Sequence, residues 1–580
     1  MRLADAAGLR TADGVFPLMA PITTRLTPAL VETLTRAGHW PNATFAAALV
    51  EQVRTRPAKT AVVDERLRLT YADLAERTLR LAARLAARGI GRGDVVSCIL
   101  PNRAEAIALF YATNALGAIA NPIVPIYGAR EIGFILRQVE SAAIVVPDRF
   151  RGVDFPALID RLTPEVPSLR ERIVVGGSAP RGWSAFEELW RDAGDERPSA
   201  ASKAPAGDIG AVDPNDIMII LYTSGTTAEP KGVLHSNNTL LCECRGTLRY
   251  HGLTADEVFV MASPVSHIAG LLYGIMLPIL LGGTSVLMEQ WDPERFLALV
   301  ERERGTYSAG ATPFLQGVLD CPALDRYDTR SLRLFTCGGA DVPPELIRRA
   351  IRRLGVRSGR GYGSTEFPSI TSSAGPDVPD PKRAETDGAP LVGNEVELRD
   401  AADRPAGGGE EGEIWARGPE LCLGYRDPAL NVEAFDGRGF FRTGDLGRFD
   451  ADGYLTVTGR VKDIIVRGGE KLSAKEIESL LCEHPSVHSA AVVPMPDRTL
   501  GERVCAVVVP APGGVAPTLG ELVRFLEAKE ISRRKLPERL EVVDELPTTA
   551  SGKVAKHVLK DRVARAVERE RARTRGRQTE

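Results

Sequence analysis

"LYTSGTTAEPKGVLHS", residues 221–236, continues the apolar run Ile217-Met218-Ile219-Ile220-Leu221. A short, continuous apolar run predicts a buried strand. The residues after it are small and hydroxylated, and a lysine follows. Backbone N–H groups, hydroxyl donors and one cation are what a loop needs to hold phosphates. An ordinary Gly/Ser/Thr turn has the same composition, so this stretch alone leaves both readings open. The run Gly225 to Gly232 is not a Walker A loop, which requires G-x-x-x-x-G-K-[ST]. It is not the dinucleotide G-x-G-x-x-G either.

Outward from this strand, helices and strands alternate from Thr44 to beyond residue 350. That pattern predicts an α/β fold with layered, largely parallel sheets. "TYADLAERTLRLAARLAARGI" reads as a helix capped by Thr70, and "VVSCIL" as the strand after it. The polar segment between Ala193 and Ile217 reads as a surface loop. From about Asp400 to Arg460 the chain turns rich in Gly and Asp with short alternating runs, which predicts hairpins. Beyond Arg460 a compact α+β pattern begins.

A chain of 580 residues exceeds one core, so at least two domains are expected. We divide it into an N-terminal extension (1–43) without a clear domain pattern, a large domain (44–460) and a small mobile domain (461–580). The large domain includes a β-rich subdomain at about 390–460, and a hinge falls at about 460–463. The terminal run "DRVARAVERERARTRGRQTE" reads as a fraying helix with a solvated charged face.

Composition narrows the function. A net charge of −3 gives no global basis for nucleic-acid or anionic-membrane binding. Eight cysteines are too few for a disulfide framework. Cys242 and Cys244 form a lone C-x-C, which does not make a zinc site. Reduced thiols and a start lacking a signal-peptide core predict a cytoplasmic protein. The most apolar stretch, Leu271 to Met288, is broken by Pro278 and by Gly282-Gly283, so a helix, a turn and a strand are expected instead of a membrane span. Of 73 Lys and Arg residues, 12 are lysine. Arginine replaces most solvent-facing lysines harmlessly, but it does not replace a compact ammonium beside a reacting carboxylate. Lysines that persist inside motifs therefore invite inspection.

Four further stretches point to a nucleotide. "GRGYGSTEFP" offers Tyr362 to stack on a base, then Gly363, Thr365 and a carboxylate, Glu366, suited to Mg²⁺ beside phosphates. "FRTGDLGRF" places Asp445 in a predicted Thr-Gly-Asp turn, where a fixed carboxylate accepts ribose hydroxyls. "GRVKDIIVRGGEKLS" sets Arg460 and Lys462 at the domain boundary. "LPTTASGKVAKHVLK" puts Lys553 in a loop near the C-terminus. Each is weak alone; their order and spacing together are specific.

In these motifs the sequence resembles the acyl-adenylate-forming superfamily, which includes acyl-CoA synthetases, peptide-synthetase adenylation domains and beetle luciferase. The likeness runs from about Thr44 to Lys560. "GATPF", "CGGADVPPEL" and "KDIIVRGGEKLS" bring it nearest to ligases of short- and medium-chain or cyclohexanecarboxylate-type acids. The resemblance implies a carboxylic acid–CoA ligase using ATP, Mg²⁺ and coenzyme A. The acid first becomes acyl-AMP with release of pyrophosphate, and acyl-AMP then becomes acyl-CoA.

It further implies roles for particular residues. Thr223, Ser224, Gly225, Thr226, Thr227 and Lys231 would hold the phosphates. Tyr362 and Gly363 would meet the base, Thr365 the α-phosphate, Glu366 the Mg²⁺, and Asp445 with Arg460 the ribose. Lys553 would neutralise charge between the attacking carboxylate and the α-phosphate. His267 would gate the acid. Gly310, Ala311, Thr312, Gly338, Gly339 and Ala340 would wall the acyl group. Lys462 would be the hinge, and Gly469 and Lys471 would face coenzyme A. Ala228 departs from the glycine many relatives carry, and we expect that change to be harmless. The rivals are a partial enzyme that performs one half-reaction and a non-catalytic nucleotide-binding protein. A second copy and a downstream acyltransferase are the protein partners the reading allows.

Overall fold

The computed structural model describes residues 24–190, 212–223, 229–548 and 554–578. Ser224, Gly225, Thr226, Thr227, Ala228 and Lys553 lie outside the described residues, as does the side chain of Lys471.

The apolar run forms the strand Ile217–Thr223. It returns antiparallel as Lys231–Ser236, with Thr223 opposite Lys231. The phosphate-loop motif thus connects two antiparallel strands. On its other edge Ile217–Thr223 pairs parallel with Ile119–Pro122. These strands belong to an eight-stranded, mostly parallel sheet. A second sheet has nine strands. Its parallel core carries Val258–Met261, Tyr307–Gly310, Leu334–Gly338 and Arg357–Tyr362. Helix Ala104–Leu116 is buried on nearly every side, and its residues join one core cluster with both sheets.

Thr70 caps its helix as expected, in a reciprocal capping box with Asp73. The stretch Leu271–Met288 is a helix ending at Leu281, a Gly282-Gly283 turn and the buried strand Thr284–Leu287. Pro278 is accommodated because a π turn, Leu271–Met276, widens the helix just ahead of it. No helix among the described residues is long and apolar enough to cross a membrane.

The β-rich part is a four-stranded antiparallel sheet: Glu395–Arg399, Gly412–Arg417, Phe441–Phe449 and Leu455–Arg460. Here one expectation is corrected. Asp445 sits within the strand Phe441–Phe449 and not in a turn. Gly444, at φ 73°, supplies the irregularity as a bulge, and the pairing register with Gly412–Arg417 shifts around it.

After a single 3₁₀ turn, Val461–Asp463, a separate five-stranded sheet follows with its own apolar core. Helix Ala474–Leu481 and helix Leu519–Ala528 pack on that core. The charged C-terminal helix, Lys556–Gln578, is less free than expected: Leu559, Val563 and Val567 are buried against strands Val487–Asp497 and Gly501–Pro510. The N-terminal stretch also docks. Trp40 is buried and its indole donates to the Pro419 carbonyl at 2.8 Å.

Candidate active site

Three neighbouring parallel strands end together. Gly310 lies opposite Cys337, and Gly338 opposite Gly361, one residue before Tyr362. Ligand crevices in such sheets open at the carboxyl ends of strands. The glycines here have a packing reason. A Cβ on Gly338 would stand 2.3 Å from the Gly361 carbonyl oxygen, and one on Gly363 would stand 2.0 Å from that of Pro368. The wall of the crevice is therefore backbone at these points.

At this rim the Tyr362 hydroxyl donates to Asp445 Oδ2 at 2.9 Å. Arg460 Nε holds the other carboxylate oxygen at 3.0 Å. Asp445 and Arg460 are direct cross-strand partners. The residues expected at base and ribose thus form one chain of contacts. Burial and the Asp445 carboxylate push the Tyr362 hydroxyl well above its ordinary pKa, so it stays a donor.

On the phosphate side, Lys231 Nζ lies 5.6 Å over the ring of Tyr425. The Tyr425 hydroxyl donates to Glu366 Oε1 at 2.7 Å. Tyr425 reaches this point because Gly424-Tyr425 pairs with the returning strand, opposite Val233. Glu366 is held again through its main chain, whose carbonyl accepts from Cys422 N–H at 2.8 Å. Thr365 is buried, and its carbonyl accepts from His235 Nε2 at 2.8 Å. Burial lowers His235 to a pKa of about 4, so its ring is neutral in this wall.

Glu366 keeps one oxygen without a hydrogen-bond partner among the described residues. Mg²⁺ binds through one or two carboxylates together with substrate phosphates. A single oriented carboxylate beside the phosphate-loop strands suits that ion. A cage made of protein alone does not fit: among the described residues no group of three His, Cys, Asp or Glu is placed to hold a metal. Bound there with ATP, Mg²⁺ would supply charge neutralisation at the phosphates.

His267 is the N-cap of the helix that begins at Ile268, and it is half-buried. Ala311 is the N-cap of helix Thr312–Asp320, and the Thr312 hydroxyl donates to the Asp341 carbonyl. Gly339 has φ 75°. Lys462 occupies the 3₁₀ turn between the domains. Burial lowers its ammonium pKa, and neighbouring Arg460 adds to that. Gly468 and Gly469 have φ 58° and 85°, and they turn the hairpin between Ile465–Arg467 and Glu470–Leu472. Positive φ at both central residues is a local reason for glycine. A Cβ on Gly469 would meet nothing within 4 Å, so the space beside it is open.

Comparison with known proteins gives the family. The profile of the AMP-binding enzyme family matches residues 49–426, and that of the AMP-binding enzyme C-terminal domain matches residues 476–553. The chain belongs to the AMP-binding enzyme family. It is 35% identical over 530 residues to the medium-chain fatty-acid–CoA ligase of Escherichia coli, covering 91% of this chain and 92% of that one. It is 36% identical over 529 residues to a salicylyl-CoA synthase / salicylate adenylyltransferase of Streptomyces, covering 90% and 94%. Its fold matches ATP-bound MatB from Rhodopseudomonas palustris with a TM-score of 0.78 and 28% identity, covering 90% and 98%. The chain is an enzyme of the AMP-forming acid–thiol ligase type: it activates a carboxylic acid with ATP and joins it to coenzyme A.

Sequence reasoning missed several residues. Tyr425 carried no signal, because its role arises from a two-residue strand pairing. His235, in the returning strand, carried no signal of its own. Arg25, in the N-terminal stretch, donates from Nη2 to the Leu421 carbonyl at 2.6 Å and from Nε to that of Cys422. It braces the segment that backs Glu366. Lys475 had one available signal, that of a lysine kept in an arginine-rich chain.

Proposed function

We propose that the enzyme makes the CoA thioester of a short- to medium-chain aliphatic or an alicyclic acid, with residue roles as the motifs imply. One observation carries the nucleotide half: Tyr362, Asp445 and Arg460 form a single contact chain at the strand ends, beside Tyr425–Glu366 and Lys231. Tyr362 takes the base, Asp445 and Arg460 the ribose, Glu366 the Mg²⁺, and Thr365 the α-phosphate side. Thr223, Ser224, Gly225, Thr226, Thr227 and Lys231 take the remaining phosphates. Lys553 supplies the cation for the attack of carboxylate on the α-phosphate, where positioning and neutralisation are the main help. Lys462 is the pivot, and Gly469 and Lys471 face coenzyme A in the second step.

The acid class is supported by the surroundings of His267. The helix after it buries Ile268, Leu271, Leu272 and Ile275. Such surroundings favour an alkyl or saturated ring over a hydroxylated one, which needs polar partners. The name of the Escherichia coli relative points the same way. We place the enzyme in the cytoplasm, with a second copy and a downstream acyltransferase as compatible partners.

The test is acid-dependent ATP–pyrophosphate exchange run beside CoA-thioester detection, over linear, alicyclic, aromatic and polycyclic acids. Exchange and thioester with octanoate or cyclohexanecarboxylate are expected. Activity confined to aromatic acids would overturn the assigned class. Exchange without thioester for every acid would make the protein an adenylating partner enzyme.

A further inference from the structure

Lys475 and Asp341 form an ion pair, Nζ to Oδ1 at 3.0 Å, with side chains 20% and 35% exposed. The partners come from different domains. Lys475 lies in the first turn of helix Ala474–Leu481 of the small domain. Asp341 follows Gly338, Gly339 and Ala340 at the crevice rim of the large domain.

The pair sits in a balanced group. Burial alone would lower the Lys475 pKa, but Asp341 and Asp387 more than offset it. Burial would raise the Asp341 pKa, but Lys475 holds it below the ordinary range, helped by Arg360 and Lys556. Arg360 is itself buried, 3.8 Å from Asp387, in the strand that ends at Tyr362. One helical turn after Lys475, Glu478 is buried and paired with Lys556 at 2.8 Å. Glu478 also accepts from Val492 N–H. Thr548 and Val554, which flank the segment carrying Lys553, bridge to each other just before Lys556.

The face of the small domain turned toward the crevice rim is therefore the one that bears the described flank of the adenylation-lysine segment. A Cβ on Gly469 would meet nothing within 4 Å, and one on Gly468 only Leu500 of its own domain. On the two-step reading, this is the acid-activating pose.

We propose that the Lys475–Asp341 pair is the latch that holds the small domain in this pose, so that Lys475 is a positioning residue for the first half-reaction and not the second. The inference rests on the two-step ligase reading. The pair is suited to the task because both side chains keep contact with water. They are rehydrated when the domain turns, so the pair biases an equilibrium without locking it. Removing it lowers the population of the activating pose and leaves the alternative pose untouched.

The test uses the full chain with Lys475→Met, Asp341→Asn, Lys475→Arg and the swap Lys475→Asp/Asp341→Lys. The first readout is ATP–pyrophosphate exchange with octanoate and with cyclohexanecarboxylate. The second is thioester formation from synthetic octanoyl-AMP plus coenzyme A. The third, which needs no acid, is hydrogen exchange in segments 339–342 and 473–478 with ATP present. In either single neutral variant, acyl-AMP formation is expected to fall about five- to tenfold, as for an ion pair worth roughly 1 kcal/mol. Thioester formation from the supplied adenylate stays level or rises, and both segments exchange faster. Lys475→Arg and the swap restore exchange protection and activity. Equal losses in both half-reactions, or unaltered protection without the pair, would overturn the latch. A wild-type protein that makes no thioester from octanoyl-AMP refutes the proposed acid class instead, and the protection data still judge the latch.

Discussion

The Tyr362 hydroxyl and the Asp445 carboxylate meet at 2.9 Å, although they stand in different sheets of the large domain. The contact joins the strand expected to stack on the base to the strand expected to hold the ribose. Arg460 completes the arrangement from the neighbouring strand. Asp445→Asn removes the charge that both partners and a ribose would use. The KM for ATP is expected to rise about 10- to 100-fold, the range for hydrogen bonds to charged groups. An unchanged KM would remove Asp445 from the nucleotide site.

Tyr425→Phe deletes the hydroxyl that orients Glu366. The carboxylate stays but loses one anchor. We expect the Mg²⁺ concentration for half-maximal activity to rise about three- to tenfold, in line with one hydrogen bond of roughly 1 kcal/mol. Thermal stability should fall only slightly. A titration of activity against Mg²⁺ at saturating ATP decides the matter.

Arg25→Ala leaves the carbonyls of Leu421 and Cys422 without their guanidinium donor. Cys422 supports Glu366 through the backbone. The KM for Mg·ATP should increase about five- to tenfold, with a stability loss of roughly 1–3 kcal/mol in denaturant unfolding. If a chain shortened to begin at residue 44 keeps a wild-type KM, the brace has no functional part.

Gly338→Ala places a Cβ against the Gly361 carbonyl. Strands Leu334–Gly338 and Arg357–Tyr362 must then separate at the rim. A stability loss of about 1–3 kcal/mol is expected, with acid activation reduced more than ATP binding. Calorimetry and the KM values for acid and ATP separate these effects.

Burial raises the Glu478 carboxyl to a pKa of about 7. Lys556, the Val492 N–H and Asp341 are the charged and polar groups that act on it. A folded pKa above the unfolded one favours the protonated form. The stabilising contribution is complete below the ordinary carboxylate range and is lost as pH rises through about 7. Glu478→Gln is therefore expected to flatten the dependence of stability on pH between about 4.5 and 7. Unfolding midpoints across that window, for wild type and variant, would falsify this if the two curves stayed parallel.

The layered α/β plan was legible because its strands are short apolar runs and its helices carry strong periodicity, as in Tyr71–Ala86. The nucleotide motifs were legible for another reason. Tyr362, Glu366, Asp445 and Arg460 each lie in a short stretch whose residue types suit one job. What stayed hidden depends on distant pairing. Tyr425 enters the site through register with Val233. Arg25 and Lys475 pair with groups 396 and 134 residues away in the chain. Asp445 was expected in a turn because Thr-Gly-Asp is a turn-like triplet. A bulge at Gly444 lets the strand run through it instead.

Arg460 is both the last residue of its strand and the immediate neighbour of the Val461–Asp463 turn. On a swinging door the parts beside the hinge pin travel least. With Lys462 as the pivot proposed above, rotation would sweep the far end of the small domain through a wide arc while Asp445, Arg460 and whatever they grip remained almost still. On that reading the enzyme would exchange the tools it brings to the acid without letting go of the handle on the nucleotide.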